Sequence, residues 1–221
     1  MLKPKETYKD IVIRHIYEGL MEGEYSSGEK ILESVLASDL GLSRAPVREG
    51  LRELVSIGLL EYRPQVGNFV ATMTPQEIVD TYVTRGVLEG FASSEAAAEM
   101  SEDEFTMLDE KAERMQLAAS RNRKKELNDL GELFHKSLFR HCRNLQLHKQ
   151  TESLSLKHHL LFHRYWANLY SPEEIACRHR KIVDVMRSKN PDQIEKTIRE
   201  HYFITGKRIA DLARQESGNN T

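Results

Sequence analysis

Apolar side chains recur at helical spacing along most of the chain. The first such segment runs from Tyr8 to Met21 and stops before Gly23, a residue that can end a helix in a left-handed turn. A second segment covers Glu33 to Leu40, and a third covers Arg44 to Ile57 after a turn at Gly41. The pattern predicts three N-terminal helices, of which the last two are joined by a tight turn.

The helical spacing gives way to two short strand-like stretches after the third helix. Residues Leu59 to Tyr62 and Asn68 to Thr72 form these stretches, and Pro64 and Gly67 lie between them. Proline and glycine supply the backbone conformations that a hairpin turn needs. We therefore predict that residues 1–73 form a winged helix-turn-helix domain.

Repeated start signals divide the rest of the chain into helices. Thr74, Ser101, Ser171 and Asn190 each stand three residues before Glu or Gln, which is the spacing of a capping box. Periodic segments at Lys124 to Cys142 and Leu145 to Leu169 add two more helices. The fold class is therefore mainly α, with a six-helix antiparallel bundle at residues 74–215 and a disordered tail at 216–221.

Composition and net charge limit the classes of protein to which this chain can belong. The chain has 221 residues, 30% of them charged and 39% apolar, and a net charge of −2. Residues 1–74 carry nine Lys and Arg against eleven Asp and Glu, so the N-terminal segment is not basic either. This charge disfavours a protein that coats nucleic acid indiscriminately, and any DNA binding must come from a local cluster of cations.

The cysteine count and the hydropathy pattern indicate the compartment. Cys142 and Cys177 are far apart and in helical segments, so we expect reduced thiols used as small core residues and no disulfide. No apolar stretch is long enough for a membrane span, and the first residues have no signal-peptide pattern. We expect a cytoplasmic protein without a membrane partner.

Three arginines form a candidate DNA-reading surface on the third helix. Arg44, Arg48 and Arg52 recur every fourth residue, so they lie on one face, and Arg48 is central. Arginine can donate two hydrogen bonds to guanine in the major groove. The alternative is a solvated face that pairs with Glu49 and Glu53. In the hairpin, Arg63 and the Gly67 amide suit contacts with the DNA backbone.

Three histidines on different helices form a candidate metal site. His135, His179 and His201 each lie on an apolar stripe, and a divalent metal can satisfy three buried imidazoles at once. Glu132, three residues before His135, can add a carboxylate from the same helix. The alternative is three histidines that each have a separate partner.

Two further groups of polar residues lie in the predicted bundle. Tyr82 and Arg85 are on the inward side of its first helix and form a candidate site for an organic acid, because Arg85 can bind a carboxylate with two hydrogen bonds. The alternative is an internal pair between Arg85 and Glu89. A second histidine group, at positions 158, 159 and 163, fits a solvated position as well as a ligand pair.

The stretch Gly-Leu-Ser-Arg-Ala-Pro-Val-Arg-Glu-Gly-Leu-Arg-Glu-Leu at 41–54 closely resembles the signature of the GntR family of transcription factors. The bundle resembles the FadR-type C-terminal (FCD) domain, and its six helices are similar to the VanR subgroup. The resemblance implies that Ser43, Ala45 and Pro46 lie against DNA and that Arg44 and Arg48 read bases.

The same resemblance implies that His135, His179 and His201 bind a metal. Two positions depart from the family pattern. Gly131 replaces the usual aspartate four residues before the first histidine, so Glu132, water or effector must complete the metal shell. Ser34 replaces an arginine that many members have at the start of the second helix.

These observations predict a homodimeric regulator that binds a short inverted-repeat operator, and we expect it to act as a repressor. A small carboxylic acid in the bundle is expected to modulate DNA binding, with zinc or nickel as the cofactor. The alternative is a metal-dependent hydrolase or lyase with an attached DNA-binding domain, in which Glu132 would serve as ligand or base.

Overall fold

The computed structural model describes residues 6–219, with side chains described as far as Glu216. It is mainly helical, as the sequence predicts. The chain divides into two compact units between Thr72 and Met73, one residue before the boundary expected from the sequence.

The N-terminal unit contains three helices and a small sheet. Thr7 caps the first helix through a reciprocal capping box with Asp10, and Gly23 ends it with φ at 80°. The elements are α1 (Tyr8–Glu22), β1 (Lys30–Ile31), α2 (Glu33–Asp39), α3 (Arg44–Ser56), β2 (Leu60–Arg63) and β3 (Gly67–Val70).

Helices α1 and α3 pack closely around the core of this unit. Val12, Ile16, Val47 and Leu54 are fully buried there. A Cβ atom at Gly50 would lie 2.6 Å from Val12, so the crossing of α1 over α3 requires glycine at this position. This packing directs the opposite face of α3 toward solvent.

The predicted hairpin is present and belongs to a three-stranded sheet. Strands β2 and β3 are antiparallel, and Arg63 pairs with Gly67 across the turn. The φ of Gly67 is 122°, which favours glycine. Strand β1 pairs with β3 and was missed by the sequence reasoning, because two residues are too few for an alternating pattern.

The C-terminal unit contains the six predicted α-helices. Reciprocal capping boxes at Thr74, Ser101 and Ser171 confirm three of the predicted starts. The Asn190 side chain accepts a hydrogen bond from the Gln193 amide at 3.2 Å, as expected of a cap. The helices are α4 (Pro75–Ala97), α5 (Glu102–Ser120), α6 (Lys124–Leu138), α7 (Leu145–Tyr165), α8 (Pro172–Arg187) and α9 (Pro191–Asn219).

Three predicted boundaries were wrong. Helix α6 ends at Leu138 rather than at Cys142, and α7 ends at Tyr165, where a 3₁₀ turn (Trp166–Asn168) follows. Helix α9 continues to Asn219, so residues 216–219 are helical and not a disordered tail. Glu216 accepts hydrogen bonds from Arg164 and Tyr165, which ties this end to α7. Residues 220 and 221 lie outside the described part.

The cysteines differ from each other in burial. Both are free thiols, but Cys142 is buried and Cys177 is exposed, so the expected core position holds for Cys142 alone. None of the helices from residue 6 to residue 219 has the length and hydrophobicity needed to span a membrane.

Helices α4 and α9 pack at very short range and form one wall of the interior. A Cβ atom at Gly206 of α9 would lie 2.6 Å from Tyr82 of α4, so a larger residue would displace the tyrosine. Tyr82 and Tyr202 are both buried at this contact. The close approach holds their rings over an internal cavity described below.

Candidate functional site

The exposed face of α3 carries the three arginines of the predicted stripe. Arg44, Arg48 and Arg52 are all exposed, whereas Val47 and Leu51 on the opposite face are buried. The spacing thus separates a cationic face from a core face, as the sequence predicts. The structure gives this face the shape and charge of a helix that can enter a major groove.

Arg48 has an acidic partner on the neighbouring helix. Its Nε lies 2.8 Å from Glu33 Oε2, and its side chain remains 55% exposed. The pairing is with α2, not with Glu49 or Glu53 of its own helix as the alternative supposed. An exposed ion pair of this kind contributes little stability, so DNA phosphates or bases can compete for the arginine.

The residues before and within the first turn of α3 are accessible. Ser43 occupies the N-cap position, but its side chain makes no capping hydrogen bond. Ser43 and Ala45 are exposed, and Pro46 is half-buried. Ser34, the departure in α2, is also exposed. The Ser43 hydroxyl is therefore available to an external partner.

The hairpin presents a second cationic position. Arg63 is exposed, lies 3.2 Å from Glu61, and its guanidinium stacks 4.2 Å from the centre of the Phe69 ring. Gly67 is half-exposed at the far side of the turn. Stacking on Phe69 restricts the arginine and holds its charge at the wing.

The structure brings the three predicted histidines together from three helices. His135 on α6, His179 on α8 and His201 on α9 each offer a ring nitrogen, and these atoms lie within 4.8 Å of one another. Their ring centres are 5.0 to 5.6 Å apart. Three imidazole nitrogens at this separation fit a single transition metal.

Hydrogen bonds orient two of the rings. Nδ1 of His179 donates to the Ile175 carbonyl oxygen at 2.6 Å, and Nδ1 of His135 contacts the Glu89 carboxylate. In both residues Nε2 is then the remaining nitrogen for a metal, and such outer partners fix the tautomer and orientation of metal-binding histidines. Glu89 also accepts a hydrogen bond from the Tyr202 hydroxyl at 2.7 Å.

Burial keeps the imidazoles of His179 and His201 neutral. Burial and the nearby His135 lower the pKa of His179 to about 3. Burial and His179 lower the pKa of His201 well below its usual range. Burial alone would raise the pKa of Glu89, but His135 and Arg85 outweigh it and keep this carboxyl ionised. His179 and His201 are therefore in the protonation state that binds metal.

Glu132 has other partners than the three histidines. Its carboxylate lies 2.7 Å from His159 Nε2, 3.1 Å from Arg85 and 3.1 Å from Lys136. The three-histidine group does not include it. These ion pairs outweigh burial and hold the pKa of Glu132 far below its usual value. The expectation that Glu132 completes the metal shell is thus not supported by its placement.

The histidines open onto a cavity of about 610 Å³, counted to its mouth. Tyr82 and Arg85 line it, as the sequence reasoning proposed, and Gly131 lies in its wall. Arg85 is almost fully buried between two carboxylates, 3.4 Å from Glu89 and 3.1 Å from Glu132. The internal Arg85–Glu89 pair is therefore present, and Glu132 adds to it.

Sequence reasoning assigned no site role to several polar residues of this cavity, among them His158, His159 and Arg178. His158 and His159 lie in its wall, although their spacing alone fits a solvated position equally well. Arg178 also lines it, directly before His179. The signal was present in the run of histidines on α7, but only packing shows which of its faces points inward.

Comparison with known proteins identifies both units. Residues 8–70 match the family described as "Bacterial regulatory proteins, gntR family", and residues 80–203 match the "FCD domain". The chain belongs to the GntR family. It is a DNA-binding transcriptional regulator with a GntR helix-turn-helix domain and an FCD domain. Membership of the VanR-like subgroup stays a prediction.

Several relatives of this GntR regulator match over most of their length. A "Probable D-xylose utilization operon transcriptional repressor" of Paenarthrobacter nicotinovorans is 29% identical over 203 residues, which cover 87% of this chain and 83% of that protein. The regulator YdhC of Bacillus subtilis is 27% identical over 184 residues, which cover 83% of this chain and 82% of the relative.

Solved structures show the same fold. The chain superposes on Escherichia coli McbR/YncC with a TM-score of 0.73 and 21% identity, covering 95% of this chain and 99% of that one. A GntR regulator from a Rhodococcus species gives a TM-score of 0.71 with 18% identity, covering 91% and 96%.

Proposed function

We propose that this GntR regulator is a homodimeric repressor that binds an inverted-repeat operator and responds to a small organic acid in its FCD cavity. The observation that carries the proposal is the three-histidine group, which lies in the wall of a cavity that also contains Arg85 and Tyr82. Neutral metal ligands and buried cations together favour an anionic ligand.

For DNA reading, we assign base contacts to Arg44 and Arg48 and additional contacts to Arg52. All three are exposed on one face of α3, and Arg48 can exchange its partner Glu33 for DNA. Ser43, Ala45 and Pro46 would pack against the backbone at the start of the helix. Arg63 and the Gly67 amide would contact phosphates from the wing.

An uncovered apolar stripe on α4 supports the homodimer. Val83, Val87 and Phe91 recur every fourth residue and are 38%, 49% and 45% exposed. On a helix this spacing places them in one row, which costs free energy when it is left in water. A second copy of the same helix would cover the row by two-fold symmetry. The two helix-turn-helix domains of the dimer would then contact the two half-sites of the operator.

His135, His179 and His201 would hold zinc or nickel, because three neutral imidazoles suit borderline metals better than magnesium or calcium. When bound, the metal supplies positive charge that attracts a carboxylate. The protein contributes orientation of the rings through Ile175 and Glu89. Tyr82 and Arg85 would contact the ligand or hold the residues that do.

The structure disfavours the enzyme alternative, a metal-dependent hydrolase or lyase. That alternative needs a general base, and Glu132 was its candidate. A carboxylate held at a low pKa by His159, Arg85 and Lys136 is a weak base near neutral pH. The relatives described above are named as regulators, which agrees with a non-enzymatic role.

The proposal is tested with the full chain in two steps. Operator fragments are first selected from random DNA, and their footprint is compared with the Arg48→Ala variant. Loss of one bidentate base contact is expected to cost about 1 to 3 kcal/mol of binding free energy, with helical content and dimer unchanged. An unchanged footprint in both Arg48→Ala and Arg44→Ala would refute the recognition surface.

The second step measures the melting temperature and operator affinity against a panel of organic acids, with and without chelator. A binding acid raises the melting temperature by mass action and weakens the operator complex. Double replacement of His179 and His201 is expected to lower both metal content and acid affinity. If metal is absent and added zinc changes neither quantity, the histidines bind the acid directly as a polar pocket.

A further inference from the structure

The two arginines of the FCD cavity differ in how their charge is compensated. Arg85 lies against Glu89 and Glu132, so its positive charge is already balanced by two carboxylates. Arg178 makes hydrogen bonds only to neutral groups in the described residues, and the charges of Glu174 and Arg208 act on it from beyond ion-pair distance. It donates to the His201 carbonyl at 2.9 Å and to the Thr205 hydroxyl at 3.0 Å, and it stacks on Tyr170 at 4.3 Å.

This difference decides which arginine can bind an anion. A ligand carboxylate near Arg85 would meet two negative side chains, whereas one near Arg178 would meet a guanidinium with no carboxylate within ion-pair distance among the described residues. Arg178 also bonds to the backbone of His201, so its charge lies beside the three-histidine group. A carboxylate can therefore contact Arg178 and approach the histidines on the same side of the cavity.

His158 provides a hydrogen-bond acceptor to the cavity, whereas Arg178 provides donors. It is 4% exposed and lines the cavity, and its Nε2 has no hydrogen-bond partner among the described residues. Its Nδ1 lies 2.9 Å from the Leu154 carbonyl oxygen. A carbonyl only accepts, so Nδ1 carries the hydrogen and, in the neutral ring, Nε2 is an acceptor. A buried acceptor without a partner costs free energy until a donor reaches it.

We propose that the cavity recognises a hydroxylated carboxylic acid, with Arg178 binding the carboxylate and His158 Nε2 accepting a hydrogen bond from a ligand hydroxyl. This inference rests on the proposed acid-sensing function and specifies its ligand class. Glu132 and Asn128 in the same wall are further acceptors suited to a ligand with several hydroxyl groups.

The test compares acids that differ only in hydroxyl groups. Binding of lactate and propionate, and of gluconate and hexanoate, is measured by titration calorimetry on the full chain, both zinc-loaded and chelator-treated. The wild-type protein is expected to bind each hydroxy acid at least tenfold more tightly than its partner, because an unpaired buried acceptor disfavours the deoxy acid. Sorbitol, which has hydroxyls but no carboxylate, serves as the neutral probe and should not bind.

Variants test whether His158 binds the ligand hydroxyl and whether Arg178 binds the ligand carboxylate. His158→Phe keeps an aromatic ring against Tyr82 and should lose about tenfold in hydroxy-acid affinity while leaving deoxy-acid affinity unchanged. His158→Gln retains an acceptor and should recover part of the loss. His148→Phe on the same helix, outside the cavity, is the matched control. Arg178→Met should weaken both kinds of acid by about 10- to 100-fold, and Arg178→Lys by less.

The outcomes separate this inference from the function on which it rests. Equal affinity for hydroxy and deoxy acids, or an equal loss of both in His158→Phe, would overturn the hydroxyl recognition and leave the acid-sensing function standing. Unchanged acid binding in Arg178→Met would overturn the carboxylate assignment. If none of the four acids binds the wild-type chain, the inference fails, and the acid-sensing function fails as well only if no acid of the wider panel binds. Melting curves of each variant confirm that it is folded.

Discussion

The Glu89 carboxylate on α4 contacts Nδ1 of His135 on α6, and both side chains are buried in the helical domain. The residues are 46 positions apart, so helix packing creates this contact. It fixes the His135 ring and leaves Nε2 directed toward the histidine group. Outer-shell partners of this kind typically change metal affinity by about 10- to 100-fold.

The first prediction is that Glu89→Gln weakens zinc binding by about 10- to 100-fold, because glutamine keeps the shape and removes the charge that orients and polarises His135. Zinc affinity is measured by competition with a coloured chelator, below the unfolding transition. Glu95→Gln, an exposed position on the same helix, is the control and should bind zinc like the wild type. Equal zinc affinity in Glu89→Gln would remove Glu89 from the metal site.

The second prediction restores the family carboxylate. A Cβ atom at Gly131 would meet only Met115 Cε, at an ordinary 3.6 Å, so a side chain fits there. Gly131→Asp should tighten zinc binding and, by partly neutralising the ion, weaken acid binding. Gly131→Asn has the same size without the charge. If both variants change zinc and acid affinity equally, the effect is steric and the charge argument is wrong.

The third prediction concerns acid stability of the metal-free protein. Burial lowers the pKa of His179 from 6.5 to about 3, so below pH 6.5 the unfolded chain binds more protons than the folded one. The contribution of His179 to the free energy of unfolding is therefore fully present above pH 6.5 and decreases as the pH falls toward 3. At pH 5 the loss from this ring is about 2 kcal/mol, at about 1.4 kcal/mol per pH unit.

Denaturant titrations at pH 7 and pH 5, with chelator present, measure this loss. His179→Gln should reduce the difference between the two pH values, since the variant has no ring to protonate on unfolding. His148→Gln is the control from the same domain and should leave the difference in place. The same pH slope in wild type and His179→Gln would contradict the assignment.

The fourth prediction follows from the ion pair between Arg48 and Glu33. If Arg48 contacts DNA as proposed, binding must release it from this carboxylate, and the carboxylate itself repels phosphates. Glu33→Gln should tighten operator binding by up to about fivefold at low salt. An exposed ion pair is worth up to about 1 kcal/mol, which corresponds to that factor. Glu18→Gln, which removes one charge from a pair with Arg14 on α1, is the control. Weaker binding in Glu33→Gln would mean that Glu33 positions Arg48 for the DNA.

The fifth prediction tests the apolar row on α4. Val87→Asp places a charge at its centre and should convert the dimer to a monomer at micromolar concentration, measured by sedimentation velocity. Leu133→Asp changes an equally exposed leucine on α6, 55% exposed, and should leave the mass unchanged. Operator affinity should fall with the loss of the dimer, because a single helix-turn-helix domain contacts too few bases. A dimeric Val87→Asp protein would place the interface elsewhere.

The sequence by itself determined the local features of this protein. The starts of three bundle helices follow from capping boxes at Thr74, Ser101 and Ser171, which need only residues three apart. The four-residue spacing of Arg44 and Arg48 placed them on one exposed face for the same reason. Local hydrogen bonds and helical periodicity are encoded by neighbours in the chain, so pattern alone was enough.

Tertiary structure decided how the buried polar groups are partnered. Glu132 looked like a metal ligand because it stands one turn before His135, yet it pairs with Arg85 and His159. The run of histidines on α7 did not show that His158 points inward, and Arg178 gave no distinct sequence signal. Each buried charge takes whichever partner the packed helices bring within hydrogen-bonding distance, and burial makes that choice energetically decisive. Those distances depend on how helices far apart in the chain cross, which no local pattern specifies.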